Sequence, residues 1–178
     1  MTHTVLVLGT DHRFQRRSLD FSEEQHQQFA AYISATVSAN GVAALAEENN
    51  IAALVEANAS QSTIEVIARK LRLKHRYCDP DMKVRAKLGI LQENQIRISA
   101  FPEQISEAEV QRRLEESLRA REVYWLSELV EFNSWPVLFV CGANHSLPFL
   151  NLLQRKDFNA ELLARDWRAE PRSARGRT

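Results

Sequence analysis

The sequence predicts an α/β fold, in which a mostly parallel central sheet is flanked by helices in a single compact domain. Short apolar runs alternate with segments of helical period, and strands that are separated by helices form parallel βαβ units. The chain has 178 residues, 44% of them hydrophobic, which is enough to bury the core of one domain. We expect residues 1–170 to form this domain and the basic segment 171–178 to form a flexible tail.

The elements in the first half of the chain are indicated by apolar runs and by capping residues. Residues 4–8 form a continuous apolar run, which is typical of a strand buried on both faces. Residues 42–46 and 75–78 are the second and third strand candidates. Ser22 and Ser62 each stand three residues before a Gln or Glu, which is the spacing of a capping box at the start of a helix.

The second half of the chain predicts one long helix, one clear strand and two further helices. The long helix begins at Ser106, where the spacing of a capping box occurs again, and it extends to about Phe132. Residues 137–141 form the clearest apolar strand of the chain. The segments 147–154 and 160–165 have the composition of helices.

Polar side chains follow each predicted strand at its carboxyl end. His12 ends a Gly-Thr-Asp-His motif after the first strand, Glu47 and Glu48 follow the second, Asp79 begins Asp-Pro-Asp after the third, and His145 ends Gly-Ala-Asn-His after the last. Ligands of parallel sheets bind beyond these ends, so we expect the side chains to lie close together. In both Gly-x-x-His motifs we attribute the glycine to a sharp exit of the chain from the strand.

Each motif also has a purely structural interpretation. A single Gly-x-x-His occurs by chance in many chains, paired glutamates suit a solvated helix N-terminus, and Asp-Pro-Asp is typical of a turn. Their coincidence at one edge favours a functional site, because imidazole and carboxylate are ligands of divalent transition metals. Adjacent strand residues point to opposite faces, so Glu47 and Glu48 share the site only if the strand ends before them.

The long helix carries a charged pair on its apolar face. At about 100° per residue, Arg121 and Glu122 lie within or beside the stripe of apolar side chains. Burial of unpaired charge costs several kcal/mol, so the two residues form either a structural ion pair or part of a functional site. In the functional interpretation, Arg121 is a catalytic residue that holds an anionic or carbonyl oxygen of the substrate.

Basic residues and missing motifs narrow the chemistry further. Arg13, Arg16 and Arg17 follow His12 and would attract an anionic substrate to the same edge. Residues 69–76 are also basic, but they lack interleaved aromatic side chains and suit a solvated helix end. No G-x-S-x-G, HExxH, Walker A or GxGxxG motif is present, which argues against common serine hydrolases, zincins, P-loop enzymes and dinucleotide-binding proteins.

Composition and charge exclude several other classes of protein. Lys+Arg and Asp+Glu both number 23, so no excess charge favours nucleic acid or an acidic membrane surface. The two cysteines are far apart, which excludes a disulfide framework and a zinc ribbon. The sequence has neither an apolar run of about 18 residues nor a signal peptide, so we expect a cytoplasmic protein without a membrane segment.

The order of these motifs resembles that of the TraB/TIKI superfamily, which includes ChaN-like and erythromycin-esterase-like proteins. Residues 8–12 are similar to its first Gly-x-x-His, 46–48 to its glutamate motif, and Arg121-Glu122 to the arginine-centred motif of its late helix. Residues 140–153 are similar to its second Gly-x-x-His and the helix that follows. The chain departs from the family in lacking the signal or membrane segment of TIKI and TraB proteins, and in carrying residues 79–81.

The resemblance implies metal-dependent hydrolysis, as in TIKI-type members, although other members bind haem or cleave a lactone. The first hypothesis is therefore a hydrolase of a small-molecule or peptide-like substrate, with a divalent transition metal (manganese, cobalt or zinc) that activates water. Its ligands would be His12, His145 and one of the paired glutamates, with Glu48 in that role. The other glutamate, Glu47, or Asp79 would be the general base.

Two alternatives remain open from the sequence. In the first, a metal-free, esterase-like enzyme of the same superfamily uses a histidine as general base, and the glutamates tune it. In the second, the protein binds a small anionic ligand or a partner at the same edge without turnover. The basic stretch 69–76 and the arginine-rich tail favour the binding protein, whereas in the metal-dependent hydrolase Arg121 would stabilise the oxyanion.

Overall fold

The computed structural model describes residues 3–170 and confirms the α/β fold. Five parallel strands form one sheet in the order β3-β2-β4-β1-β5. The strands are β1 (Thr4–Thr10), β2 (Ala44–Glu47), β3 (Lys74–Tyr77), β4 (Val137–Gly142) and β5 (Asn159–Trp167). The first four correspond to the strands that the sequence predicts. The predicted tail, residues 171–178, lies outside the described residues.

Eight helices connect and flank the strands in the described part of the chain. They are α1 (His12–Gln15), α2 (Glu23–Asn40), α3 (Ile51–Glu56), α4 (Thr63–Leu71), α5 (Met82–Leu88), α6 (Glu93–Glu103), α7 (Glu107–Phe132) and α8 (Ala143–Arg155). Ser22, Ser62 and Ser106 cap α2, α4 and α7 as predicted, because each side chain accepts a hydrogen bond from the backbone N–H three residues later. Within residues 3–170, no helix combines the length and the apolar composition needed to cross a membrane.

The core has one layer on each face of the sheet. On one face, alternate strand residues pack against α7 and α8, with Trp125 and Phe149 fully buried among them. On the other face, the intervening strand residues pack against α2 and α4, with Phe29 and Ile64 fully buried. Burial on both faces explains why β1 and β4 are continuous apolar runs in the sequence.

The prediction of a helix at residues 160–165 is wrong, because this segment belongs to β5. The strand lies at the edge of the sheet and pairs in parallel with β1 alone, with register shifts along the pairing. Its sequence, Asn-Ala-Glu-Leu-Leu-Ala-Arg-Asp-Trp, is rich in helix-forming residues. Pairing with the buried strand β1 therefore outweighs the intrinsic preference of the segment.

Candidate functional site

A polar cleft of about 290 Å³ lies at the carboxyl ends of the strands. His12, Glu48, Asp79 and Arg121 all line it, although they come from four separate parts of the chain. The edge predicted from the sequence therefore brings these four residues together. His145 is buried and does not line the cleft, but its Nε2 lies 3.6 Å from Oε1 of Glu48.

Glu48 is the centre of this arrangement. Its Oε1 accepts a hydrogen bond of 2.7 Å from Nη2 of Arg121, and its Oε2 accepts one of 2.8 Å from the backbone N–H of Gly142. Nε2 of His12 lies 3.6 Å from Oε2, which is beyond hydrogen-bond distance. The Glu48 side chain is only 3% exposed, so Arg121 balances a carboxylate that is almost fully removed from water.

The two histidines are held through Nδ1, which leaves Nε2 available on each ring. Nδ1 of His12 lies 2.9 Å from Oε1 of Gln15, whose own amide N–H groups donate to Oε2 of Glu47 and to a backbone carbonyl. Because these donations fix the orientation of the amide, its oxygen accepts a hydrogen bond from Nδ1–H of His12. Nδ1 of His145 lies 2.8 Å from Oε1 of Glu122 and donates to that carboxylate. Nε2 of each ring lies 3.6 Å from an oxygen of Glu48, and it carries the lone pair whenever that ring is neutral.

Glu47 does not follow the second strand, as the sequence predicts, but is the last residue of β2, whereas Glu48 follows the strand and has a separate set of partners. Glu47 is fully buried and does not line the cleft. Its oxygens accept hydrogen bonds from Ser62, from Gln15 over 3.1 Å, and from Nε2 of His75 over 2.9 Å. Glu47 thus acts on the site indirectly, because it orients Gln15, which in turn orients His12.

Asp79 lies in the cleft but is enclosed by nitrogen donors. Its Oδ1 accepts from Arg121 (2.7 Å) and from the indole N–H of Trp125 (3.0 Å), and its Oδ2 accepts from Arg85 (2.6 Å). Burial raises the pKa of Asp79, but Arg121 and Arg85 outweigh burial and hold that pKa below its ordinary value. Asp79 is thus an ionised anchor for Arg121, and it is poorly suited to the role of general base that the sequence allows it.

Arg121 joins the two carboxylates of the cleft. Its Nη2 donates to Glu48 and to Asp79 over 2.7 Å each, and its Nε donates to Asp79 over 3.1 Å. Burial lowers the pKa of this guanidinium, but Glu48 and Asp79 outweigh that effect and raise it above its ordinary value. Arg121 therefore remains a cation, and its Nη1 forms no hydrogen bond to any described residue.

The glycines of the two Gly-x-x-His motifs are required for space and not for backbone freedom. Neither Gly9 nor Gly142 has a positive φ, so neither position needs the left-handed backbone that glycine allows. A Cβ at Gly9 would lie 2.0 Å from the backbone oxygen of Arg165 in β5. A Cβ at Gly142 would lie 2.5 Å from Nε2 of His12. The first glycine allows β5 to approach, and the second makes room for the histidine.

Sequence reasoning missed the roles of Gln15 and Glu122. Gln15 is almost fully buried although it is polar, and it lies one helical turn after His12, which is the signal that could have identified it. Glu122 is 1% exposed and contacts both His145 and Nη1 of Arg119. Its position beside the apolar stripe of α7 indicated a buried pair, but the partner is His145 and not its neighbour Arg121.

The donor atoms have the chemistry of a metal site, but their arrangement does not fit one. Two imidazole nitrogens and a carboxylate suit manganese, cobalt or zinc. However, the two Nε2 atoms face different oxygens of Glu48, and both oxygens already accept N–H groups. In the described part of the chain, no three His, Cys, Asp or Glu side chains are placed to hold one metal ion.

Comparisons with known proteins add no assignment. No family model, no curated protein and no solved structure matches the chain. The resemblance to the TraB/TIKI superfamily therefore depends on the sequence motifs alone, and function has to be argued from the cleft.

Proposed function

We propose that the chain is a hydrolase of a small-molecule or peptide-like substrate, in which His12 activates water without a metal ion. The single observation that carries this proposal is the state of His12 Nε2. The atom belongs to a side chain that is 39% exposed and lines the cleft, it forms no hydrogen bond to the described residues, and a hydrogen bond from Nδ1 to Gln15 leaves Nε2 to accept a proton. An imidazole of this kind is suited to general base catalysis near neutral pH.

His12 would take a proton from a water molecule in the cleft onto Nε2 as the water oxygen attacks the scissile carbonyl carbon. The same proton would then pass to the leaving group when the bond to it breaks. Glu48, whose Oε2 lies 3.6 Å away, would stabilise the transient imidazolium, and Gln15 keeps the ring in the required tautomer. The arrangement differs from a Ser-His-Asp triad, in which the carboxylate holds Nδ1, because here Gln15 holds Nδ1 and Glu48 lies beside the nitrogen that takes the proton.

Arg121 would bind the oxygen that gains negative charge during the attack. Nε and Nη2 of Arg121 are committed to the two carboxylates, whereas Nη1 forms no hydrogen bond within residues 3–170. A charged donor that is held rigidly beside the reacting atoms stabilises such an oxyanion. Asp79 and Glu48 hold the guanidinium in place, so both act by positioning Arg121.

A metal-dependent hydrolase is the second candidate. Its support is the outward lone pair on both His12 and His145, each 3.6 Å from an oxygen of Glu48, together with the superfamily resemblance. These residues would have to move before three of them could contact one ion. The metal-free reaction is preferred because it uses the positions of the side chains as they are.

A substrate panel with matched histidine variants tests the proposal. Chromogenic esters, amides and phosphoesters are offered to wild type, to His12→Asn and to His3→Asn, all with EDTA present. His3 is exposed and packs on Trp135, away from the cleft, so its variant controls for the loss of an imidazole. We expect wild type and His3→Asn to hydrolyse at least one class, and His12→Asn to lose at least about 100-fold in kcat/KM.

Three results would contradict the proposal. Equal activity of His12→Asn and wild type would remove His12 from the reaction. The metal-dependent enzyme would be favoured if EDTA abolished the activity and wild type bound one metal ion per chain. The double variant His12→Asn plus His145→Asn should then bind none. Folded wild type that binds small anions but hydrolyses none of the panel would favour a binding protein.

A further inference from the structure

A second cavity adjoins the catalytic cleft. It has a volume of about 670 Å³, and His12 and Arg16 line both it and the cleft. His12 therefore lies where the two cavities meet. A substrate whose reacting bond lies at His12 can extend into the second cavity, whose size is within the usual range of small-molecule sites.

The second cavity is positively charged. Arg13, Arg16 and Arg17 line it, and no Asp or Glu does. Two of these arginines are already paired: Arg13 contacts Asp11 over 2.7 Å, and Arg17 contacts Glu23 over 2.6 Å. The remaining positive charge in the cavity is therefore that of the third arginine.

Arg16 has an uncompensated charge in a partly enclosed position. The side chain is half-buried, and its guanidinium forms neither a hydrogen bond nor an ion pair with any residue in the range 3–170. Arg16 follows His12 by four residues, so the two side chains lie on the same side of the first helical turn. A planar guanidinium binds carboxylate or phosphate oxygens through two parallel hydrogen bonds.

We infer that the substrate carries an oxyanion group, a carboxylate or a phosphate, that Arg16 binds in the second cavity while the bond to be hydrolysed lies at His12. The binding of the oxyanion by Arg16 rests on the charge of the second cavity, and the position of the reacting bond at His12 rests on the proposed function. Leu19 also lines this cavity and offers apolar surface to the uncharged part of the substrate. The preferred substrate is then a small ester or amide with an anionic end.

A binding experiment tests the anion site without turnover. Inorganic phosphate and succinate are titrated separately into wild type, Arg16→Gln and Arg155→Gln, and heat is measured by calorimetry. Arg155 is exposed at the end of α8 and has no ion pair among the described residues, so its variant controls for the loss of one positive charge. We expect at least one anion to bind wild type and Arg155→Gln equally, and to bind Arg16→Gln roughly tenfold more weakly.

The two anions identify the charged group of the substrate. Tighter binding of phosphate would indicate a phosphate group, and tighter binding of succinate would indicate a carboxylate. A kinetic comparison then joins the site to the reaction: the ratio of kcat/KM for p-nitrophenyl hydrogen succinate to that for p-nitrophenyl butyrate should fall about tenfold in Arg16→Gln and should stay at the wild-type value in Arg155→Gln. Equal anion binding by all three proteins, or no saturable binding, would overturn the inference.

Failure of the inference and failure of the proposed function give different results. Anion binding that depends on Arg16, in a protein that hydrolyses neither ester, would overturn the hydrolase and the claim about its substrate but leave an anion-binding cavity. Hydrolysis that depends on His12, with no preference for the anionic ester in wild type, would overturn the inference and leave the hydrolase.

Discussion

Gly142 and His12 are related through space: a Cβ on Gly142 would lie 2.5 Å from Nε2 of His12, a side chain that lines the cleft. The glycine of the second Gly-x-x-His motif thus makes room for the histidine of the first. The backbone N–H of the same glycine donates to Glu48 over 2.8 Å. One residue at the end of β4 therefore positions both the proposed base and the carboxylate beside it.

Alanine at each motif glycine should have a different effect. In Gly142→Ala the new Cβ meets the ring of His12, which is partly exposed and can move, so we expect a stability loss below about 1 kcal/mol. Because His12 is displaced, kcat/KM should fall at least tenfold. Gly9→Ala meets the backbone oxygen of Arg165 and should cost about 2–3 kcal/mol of stability. Urea denaturation and the ester assay measure both. Equal stability losses would show that Gly142 has only a packing role.

Loss of the Glu122 carboxylate should destabilise the fold through His145. Both side chains are nearly fully buried and joined by a 2.8 Å hydrogen bond, so Glu122→Ala leaves His145 and Arg119 without their partner and should cost about 3 kcal/mol. Glu115→Ala, at an exposed position of the same helix, should change stability by less than about 0.5 kcal/mol. Chemical denaturation of the two variants measures the difference. Similar values would mean that the pair adds no net stability.

Asp79 should make the stability of the protein depend on acid pH. Its folded pKa lies below the ordinary value, since Arg121 and Arg85 overcome the effect of burial. The stabilisation by its ionised form is therefore complete above about pH 4, where the carboxyl of the unfolded chain titrates, and is lost as the pH falls through the folded pKa. Asp79→Asn should be roughly 3 kcal/mol less stable at pH 7, and its disadvantage should shrink toward pH 2.

Free energies of unfolding from pH 7 to pH 2 measure this effect. Asp157→Asn is the control, because Asp157 is exposed and its positive φ of 61° suits asparagine. The curve of that variant should run parallel to wild type. A constant difference between Asp79→Asn and wild type at every pH would contradict a depressed pKa.

The two cysteines should be inert in the folded protein. Cys78 and Cys141 are both fully buried, and burial raises the pKa of each thiol well above its ordinary value. We expect neither to react with Ellman's reagent under native conditions and both to react in denaturant. Rapid reaction of one thiol in the native state would show that the corresponding side of the core opens to solvent.

Much of the fold could be predicted from the sequence, because its signals are local. Apolar runs identified β1 and β4, and serine caps identified the starts of the longest helices. The segment at β5 was predicted wrongly, because its partner β1 is more than 150 residues away in the chain and local propensity favours a helix. The short helix α3 and the helices α5 and α6 were not predicted, since no strong apolar period marks them.

The candidate site could be predicted only in part. His12, Glu48 and Asp79 were expected at one edge from the rule that parallel strands present their carboxyl ends together, and Arg121 was expected there from the functional interpretation of its place on the long helix; all four line one cleft. The sequence could not decide between Glu47 and Glu48, because that choice depends on where β2 ends. It also could not pair Glu122 with His145, because their contact joins two helices across the core.

The central structural claim is that His12 presents an unprotonated Nε2 to the cleft. Nitrogen-15 NMR of histidine-labelled protein tests it most directly, with the His12 signals assigned by their loss in His12→Asn. At a pH where free imidazole is neutral, we predict that Nδ1 carries the proton and donates the 2.9 Å hydrogen bond to Oε1 of Gln15. Nε2 should then have the chemical shift of an unprotonated nitrogen. A His12 ring with its proton on Nε2 would contradict the account, because that nitrogen could not then accept a proton from water.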